Sequence, residues 1–337
     1  MNKWFILLLL ILLTSCSVSQ TSETSTNSET NTDYVSFILN VHDWVDPEKS
    51  ADAVTKIIDI HEKYNVPVSI YLDDQVFQIY MKDYPELVER LKTSPVVTVS
   101  YHVRPPLPVY TQFGIYNYSQ LSSEELYPIL IKYEEHKINL SDGKPIESSP
   151  GGYQYVKDSI GYSPVAVSLI FDTPAEKETM AKIYKEKGAS LAVVHSGQSK
   201  FGEKLNGLTL RPEDVEIKLY ENLKKYISGK TPKDIIDESI AATTSVNNPM
   251  FINIKMHENN FYTSGTPFEL VYFPDYNERS NPLAPPYDLS NADPSFRSST
   301  EEEQMWAMYE EAVKYVSENK DLYTAVNDDS IKELLNL

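Results

Sequence analysis

The sequence predicts an α/β fold, a (β/α) barrel of about seven parallel strands in a single domain. Two observations predict it. From Tyr34 onward, short apolar runs alternate with amphipathic stretches of helical period, the pattern of strands joined by covering helices. No strand-like run opens into a glycine-rich phosphate loop, and with only 11 glycines in 337 residues the chain lacks the dinucleotide and P-loop signatures of open doubly wound sheets.

The elements follow in order. YVSFILNV reads as the first strand, and SADAVTKIIDIHEKY as a helix with Val54, Ile57, Ile58 and His61 on one face. VPVSIYL, the helix YPELVERL and the strand VVTVSYH complete a β-α-β-α-β run. PVAVSLIF, a helix around EKETMAKIYKEK stopped by Gly188, SLAVVH and MFINIKMH continue it. A last helix, EEEQMWAMYEEAVKYVSE, precedes the terminal run LYTAVN. The 41% hydrophobic content is enough for a sizeable core and excludes disorder of the whole chain.

Residues 1–15, MNKWFILLLLILLTS, combine a basic start with an apolar run too short to span a membrane comfortably, the pattern of an export signal. Cys16 follows at the expected cleavage point and is the only cysteine, so no intramolecular disulfide is possible. The segment up to Asp33 is nearly free of hydrophobics and reads as a flexible tether, leaving 34–337 as the folded domain. The net charge of −19 argues against a nucleic-acid partner.

Four of the six histidines end strands: His42 after FILNV, His102 after VVTVSY, His195 after SLAVV and His257 after FINIKM. Parallel strands present their C-terminal ends on one face, so these side chains are expected to converge there. Asp43, Asp73, Asp74, Asp172 and Glu258 fall on the same edge. Imidazoles and carboxylates in one cleft suit a divalent metal, zinc first, or acid–base chemistry. His61 and His136 fall within helical stretches and read as structural.

With these features in order, the chain from Tyr34 to Leu337 resembles the polysaccharide deacetylases of carbohydrate esterase family 4. NVHDW, Asn40 to Trp44, is similar to the family's first motif, T-F-D-D-G, which puts His42 in the place of the catalytic base and Asp43 in that of a metal ligand. VVTVSYHVRPP is similar to the strand leading into H-x-x-x-H, with His102 as the first metal-binding histidine and Pro106 where the second belongs. SSPGGY is similar to R-x-P-[GY]-G, with Ser148 in the place of the arginine that orients the base. INIKMHENN is similar to the segment carrying the general acid, which falls on His257.

The resemblance implies a metal-dependent hydrolase that removes acyl groups from N-acylated glycans at the cell surface. Cys16 resembles a lipoprotein lipidation site and would anchor the chain to a membrane. Asp43 and His102 would hold the metal, with His195, Asp172 or Glu258 supplying the ligand that Pro106 cannot. His42, with an ordinary pKa near ~6.5, would accept the proton of water, and His257 would protonate the leaving amine. Trp44, Asp73, Asp74, Gly151, Gly152 and Tyr153 are expected to face the glycan. A second reading is an inactive carbohydrate-binding protein on the same scaffold. Tyr110, Phe113, Tyr116, Tyr118, Phe261, Tyr262, Tyr272, Phe273 and Tyr276 would then form a stacking rim, or else pack long loops such as 277–299 onto the barrel.

Overall fold

The computed structural model describes residues 32–103, 120–171, 173–194, 197–275, 282–292 and 295–337. The signal segment, Cys16 and most of the tether lie outside them. The first half runs β1 (Asp33–Val41), α1 (Pro47–Tyr64), β2 (Val68–Leu72), α2 (Asp74–Asp83), α3 (Pro85–Thr93), β3 (Val97–His102), α4 (Ser123–Glu134), β4 (His136–Ile138), β5 (Pro145–Pro150) and α5 (Gly152–Ile160). The second half runs β6 (Ala166–Leu169), α6 (Pro174–Lys187), β7 (Leu191–Val194), β8 (Lys204–Leu205), β9 (Leu208–Leu210), β10 (Val215–Lys218), α7 (Leu223–Ile227), α8 (Pro232–Ala241), β11 (Phe251–His257), α9 (Glu269–Tyr272), α10 (Ser299–Glu318), β12 (Tyr323–Ala325) and α11 (Asp328–Leu334).

One curled sheet carries the fold, in the order β10-β11-β1-β2-β3-β6-β7-β9-β8, with β12 added beside the start of β1. All of these pairings are parallel except β8 with β9. Among the described residues β10 and β8 do not pair with each other, so the barrel is open along one seam. All seven strands read from the sequence form. The strands it missed, β4, β5, β8, β9 and β10, are six residues or fewer, too short for a period to show.

β1 shows why its sequence makes a buried strand. Phe37, Leu39 and Val41 point one way into the main core with Ile57 and Ile58 of α1 and Tyr309 and Val313 of α10. Ile38 points the other way, with Tyr71, Val193 and Phe251 inside the barrel. Successive side chains leave opposite faces of a strand, so a strand covered on both faces needs apolar residues on both.

Helix ends follow local chemistry. α6 starts on a Thr173–Glu176 capping box with Pro174 in its first turn, and it stops at Gly188, whose φ of 106° suits a residue without Cβ. α10 starts on a Ser298–Glu301 capping box and buries Met305, Met308, Tyr309, Ala312, Val313 and Val316 at helical spacing.

The base of the barrel is closed by α11. Asp328 accepts from Arg211 Nε at 2.7 Å and from Ser100 Oγ at 2.6 Å, while its own amide donates to Ser69 Oγ at 2.9 Å. Both members of this ion pair are buried and both make further hydrogen bonds, which offset part of the cost of taking the charges out of water.

Candidate active edge of the barrel

The C-terminal strand ends bring His42, His102 and His257 together from β1, β3 and β11. The His42 ring stands between the other two, with ring centroids 5.2 Å from His102 and 4.8 Å from His257. The edge of Phe268, from the loop after β11, closes on it at 5.1 Å. His42 is 3% exposed, and its Nδ1 is sealed from solvent with no hydrogen-bond partner among the described residues. Burial first, and then the neighbouring His257 and His102, hold His42 well below the ordinary imidazole range. It is therefore neutral at neutral pH, and a weaker base than the ~6.5 expected from sequence.

His102 is oriented by its backbone. Its Nδ1 lies 2.8 Å from the Val103 carbonyl, which only accepts, so Nδ1 carries a hydrogen. The His257 amide donates to Asn260 Oδ1 at 2.9 Å, which holds the turn that follows β11. Tyr220 covers the His257 ring at 5.6 Å.

Asp43 faces a different set of neighbours. Its Oδ1 accepts from the amides of Val45 at 3.1 Å and Asp46 at 3.3 Å, and its Oδ2 accepts from Tyr262 Oη at 2.6 Å. It is fully buried, and burial raises its pKa against these hydrogen bonds. Glu258 lies behind the same turn, where Oε1 accepts from the amides of His42 at 2.7 Å and Asp43 at 2.5 Å and from Ser50 Oγ at 3.3 Å. Burial, with Asp43 as the second cause, pushes Glu258 up to about 8. It serves the backbone and not the metal role offered for it.

Among the described residues, no three His, Cys, Asp or Glu side chains are placed to hold one ion. Asp43 accepts from Tyr262 and two amides, and the described donors alone do not make up the expected set. His195, Asp172 and Pro106 lie outside the described residues.

The expected substrate contacts resolve mostly into structural ones. Asp73 caps α2, its Oδ1 accepting from the amides of Gln75 and Val76. Asp74 is fully buried beneath Gly151, where a Cβ would meet its Oδ2 at 2.8 Å, and it accepts from Gln78 Nε2. Gly152 has a φ of +67° and lies so close to the Glu134 carbonyl that no side chain fits. Tyr153 is buried, donating to the Pro164 carbonyl, and touches no open surface. Ser148 lines a surface cavity of about 520 Å³ with Glu135, His136, Glu147 and Tyr155.

Trp44 remains half-buried at the rim, 6.2 Å from the ring of Tyr272. The described aromatics of the proposed stacking rim are interior. Phe261 stacks on Trp306 at 3.8 Å, and Tyr262, Tyr272 and Phe273 are at most 6% exposed. Tyr110, Phe113, Tyr116, Tyr118 and Tyr276 lie outside the described residues. His61 is structural as expected, whereas His136 begins β4 instead of lying in a helix, its Nδ1 2.7 Å from the Lys132 carbonyl. Phe268 was not legible as a site residue, and Tyr262 was read as part of a stacking rim and not as the partner of Asp43, because each acts across a loop that no period or motif announces.

No protein-family model matches the chain, and no curated protein matches its sequence. Solved structures similar to it include a putative polysaccharide deacetylase from Mycobacterium smegmatis, at 11% identity over 92% of each chain with a TM-score of 0.48. The peptidoglycan deacetylase PdaC from Bacillus subtilis is similar at 11% identity over 91% of this chain and 94% of its own, with a TM-score of 0.42. A family 4 pseudoenzyme from Bacillus anthracis is similar at 10% identity over 68% of this chain and 58% of its own, with a TM-score of 0.35.

Proposed function

We propose that the chain is a deacetylase-like hydrolase that removes acyl groups from N-acylated glycans at the cell surface, working through its strand-end imidazoles. The observation that carries this reading is the convergence of His42, His102 and His257 from three strands, with His42 sealed, neutral and, among the described residues, without a partner at Nδ1. A buried polar atom without a partner costs stability, and such costs are tolerated mainly where a site uses them. A neutral imidazole of this cluster accepts a proton from water as its oxygen adds to the acyl carbon. That proton passes to His257, which returns it to the nitrogen as the C–N bond breaks, leaving a carboxylic acid, a free amine and the imidazoles neutral again. No step is assigned to a metal. Lipid on Cys16, with the segment between it and β1 as a tether, would hold the domain near its polymer, and loss of labelled palmitate incorporation in Cys16→Ser tests that part.

The test is acyl release from N-acetylglucosamine oligomers by the purified chain, with His42→Ala and His102→Ala in parallel and metal content recorded. Release that depends on both histidines supports the reading, and release that is undiminished in both variants sinks it.

A second reading, a glycan-binding protein without turnover, is favoured by one observation. Asp43, in the place of a metal ligand, is fully buried and committed to Tyr262. Oligomer binding without acyl release, surviving His42→Ala, would select it.

A further inference from the structure

We propose that Glu258 is a positioning residue that holds the His42–Asp43 turn against the barrel and so sets where the His42 ring stands between His102 and His257. The inference rests on the imidazole reading of the active edge. β1 and β11 are parallel neighbours paired as far as Asn40 with His257. Beyond that pair the backbone ladder ends, and the amides of His42 and Asp43 enter buried space as donors that need acceptors. Glu258 is the next residue of the β11 chain, and its side chain continues the ladder that the backbone has stopped making.

One oxygen does this. Oε1 accepts from both amides and from Ser50 Oγ of α1, so β1, β11 and α1 meet at a single atom. On the β2 side the Val41 carbonyl accepts from the Asp73 amide at 3.0 Å, and within the turn the His42 carbonyl accepts from the Trp44 amide at 3.2 Å. The backbone of the turn is thus held on the β2 side by a main-chain bond and on the β11 side by the Glu258 side chain. Oε2 is sealed from solvent without a hydrogen-bond partner among the described residues, which leaves the holding to Oε1. Glutamine presents a carbonyl oxygen at the same reach, aspartate falls one methylene short, and alanine removes the acceptor.

The experiment compares Glu258→Gln, Glu258→Ala and Glu258→Asp with the unmutated chain by amide hydrogen exchange and by steady-state acyl release from N-acetylglucosamine oligomers. Expected in Glu258→Ala is exchange at the His42 and Asp43 amides faster by about tenfold or more, with β2 amides unchanged. Its kcat should fall about 10–100-fold with little change in KM, the split expected when a group is misplaced and substrate contact is kept. Glu258→Gln should restore both readouts, and should Glu258→Ala not fold, Glu258→Asp carries the same expectation. Unchanged protection of the two amides in the alanine or aspartate variant, or an equal kcat loss in Glu258→Gln, overturns the proposal. If the unmutated chain releases no acyl group, the hydrolase reading fails by itself, and the exchange pattern still decides the role of Glu258.

Discussion

His61 and His42 are both buried, at 0% and 3% exposure, and both are pushed toward the neutral form. They differ in what their nitrogens meet. His61, on α1, has Nδ1 2.8 Å from the Val66 carbonyl and Nε2 2.8 Å from Tyr309 Oη. The carbonyl only accepts, so Nδ1 donates and Nε2 accepts from the tyrosine, and every polar atom of the ring is satisfied. His42 is packed against two imidazoles and the Phe268 ring, with Nδ1 unsatisfied among the described residues. Equal burial thus serves two ends: one ring closes a helix onto the core, and the other keeps a nitrogen in reserve at the barrel mouth.

The largest expected difference between them is in turnover. His42→Ala should lower kcat for acyl release about 10²–10⁴-fold, the range for loss of a proton-transfer group, and should move the melting temperature less than His61→Ala does. A loss of activity no greater than that of His61→Ala would erase the distinction. In the other direction, His61→Ala should cost about 3 kcal/mol of stability in urea unfolding. It removes a ring packed on Phe37 and leaves both the Val66 carbonyl and the Tyr309 hydroxyl without their partner. The kcat of the fraction that stays folded should be unchanged.

The pH dependence sharpens the same contrast. His61 has a folded-state pKa of about 4 against an ordinary 6.5. The unfolded chain takes up that proton as pH falls through 6.5, while the folded chain refuses it until about 4. Its effect is therefore absent above pH 6.5 and grows as a destabilisation between 6.5 and 4, reaching about 3 kcal/mol. His61→Gln should flatten stability against pH in that window relative to the unmutated chain. A slope that stays the same would show that the ring is protonated without penalty.

The two histidines also mark how far the sequence could be read. That His42, His102 and His257 converge was legible, because parallel strands place their C-terminal ends on one edge whatever lies between them. That His61 is structural was legible from its place on the apolar face of α1. The partners were not. Asp43 meets Tyr262 from 219 residues away, and Phe261 is interior partly because Trp306 of α10 stacks on it. Such contacts depend on how loops close over the sheet, and a side chain spent on a distant hydroxyl looks in sequence the same as one free for a ligand. The glycine pair 151–152 was read as a substrate turn for the same reason. Its glycines answer to the Asp74 carboxylate and the Glu134 carbonyl, neither of which a local motif reveals.

The smallest expected effect isolates the hydrogen bond that separates the two rings. Tyr309→Phe keeps the ring that packs on Phe37 and Phe261 and removes only the hydroxyl that donates to His61 Nε2. His61 then has a buried nitrogen without a partner, as His42 Nδ1 already has none among the described residues. Loss of one buried neutral hydrogen bond should cost about 1–2 kcal/mol of stability. Because nothing near the strand ends changes, kcat for acyl release should stay as it is. If the variant is as stable as the unmutated chain, an unsatisfied nitrogen costs this fold nothing, and the orphaned Nδ1 of His42 then loses its force as a mark of function.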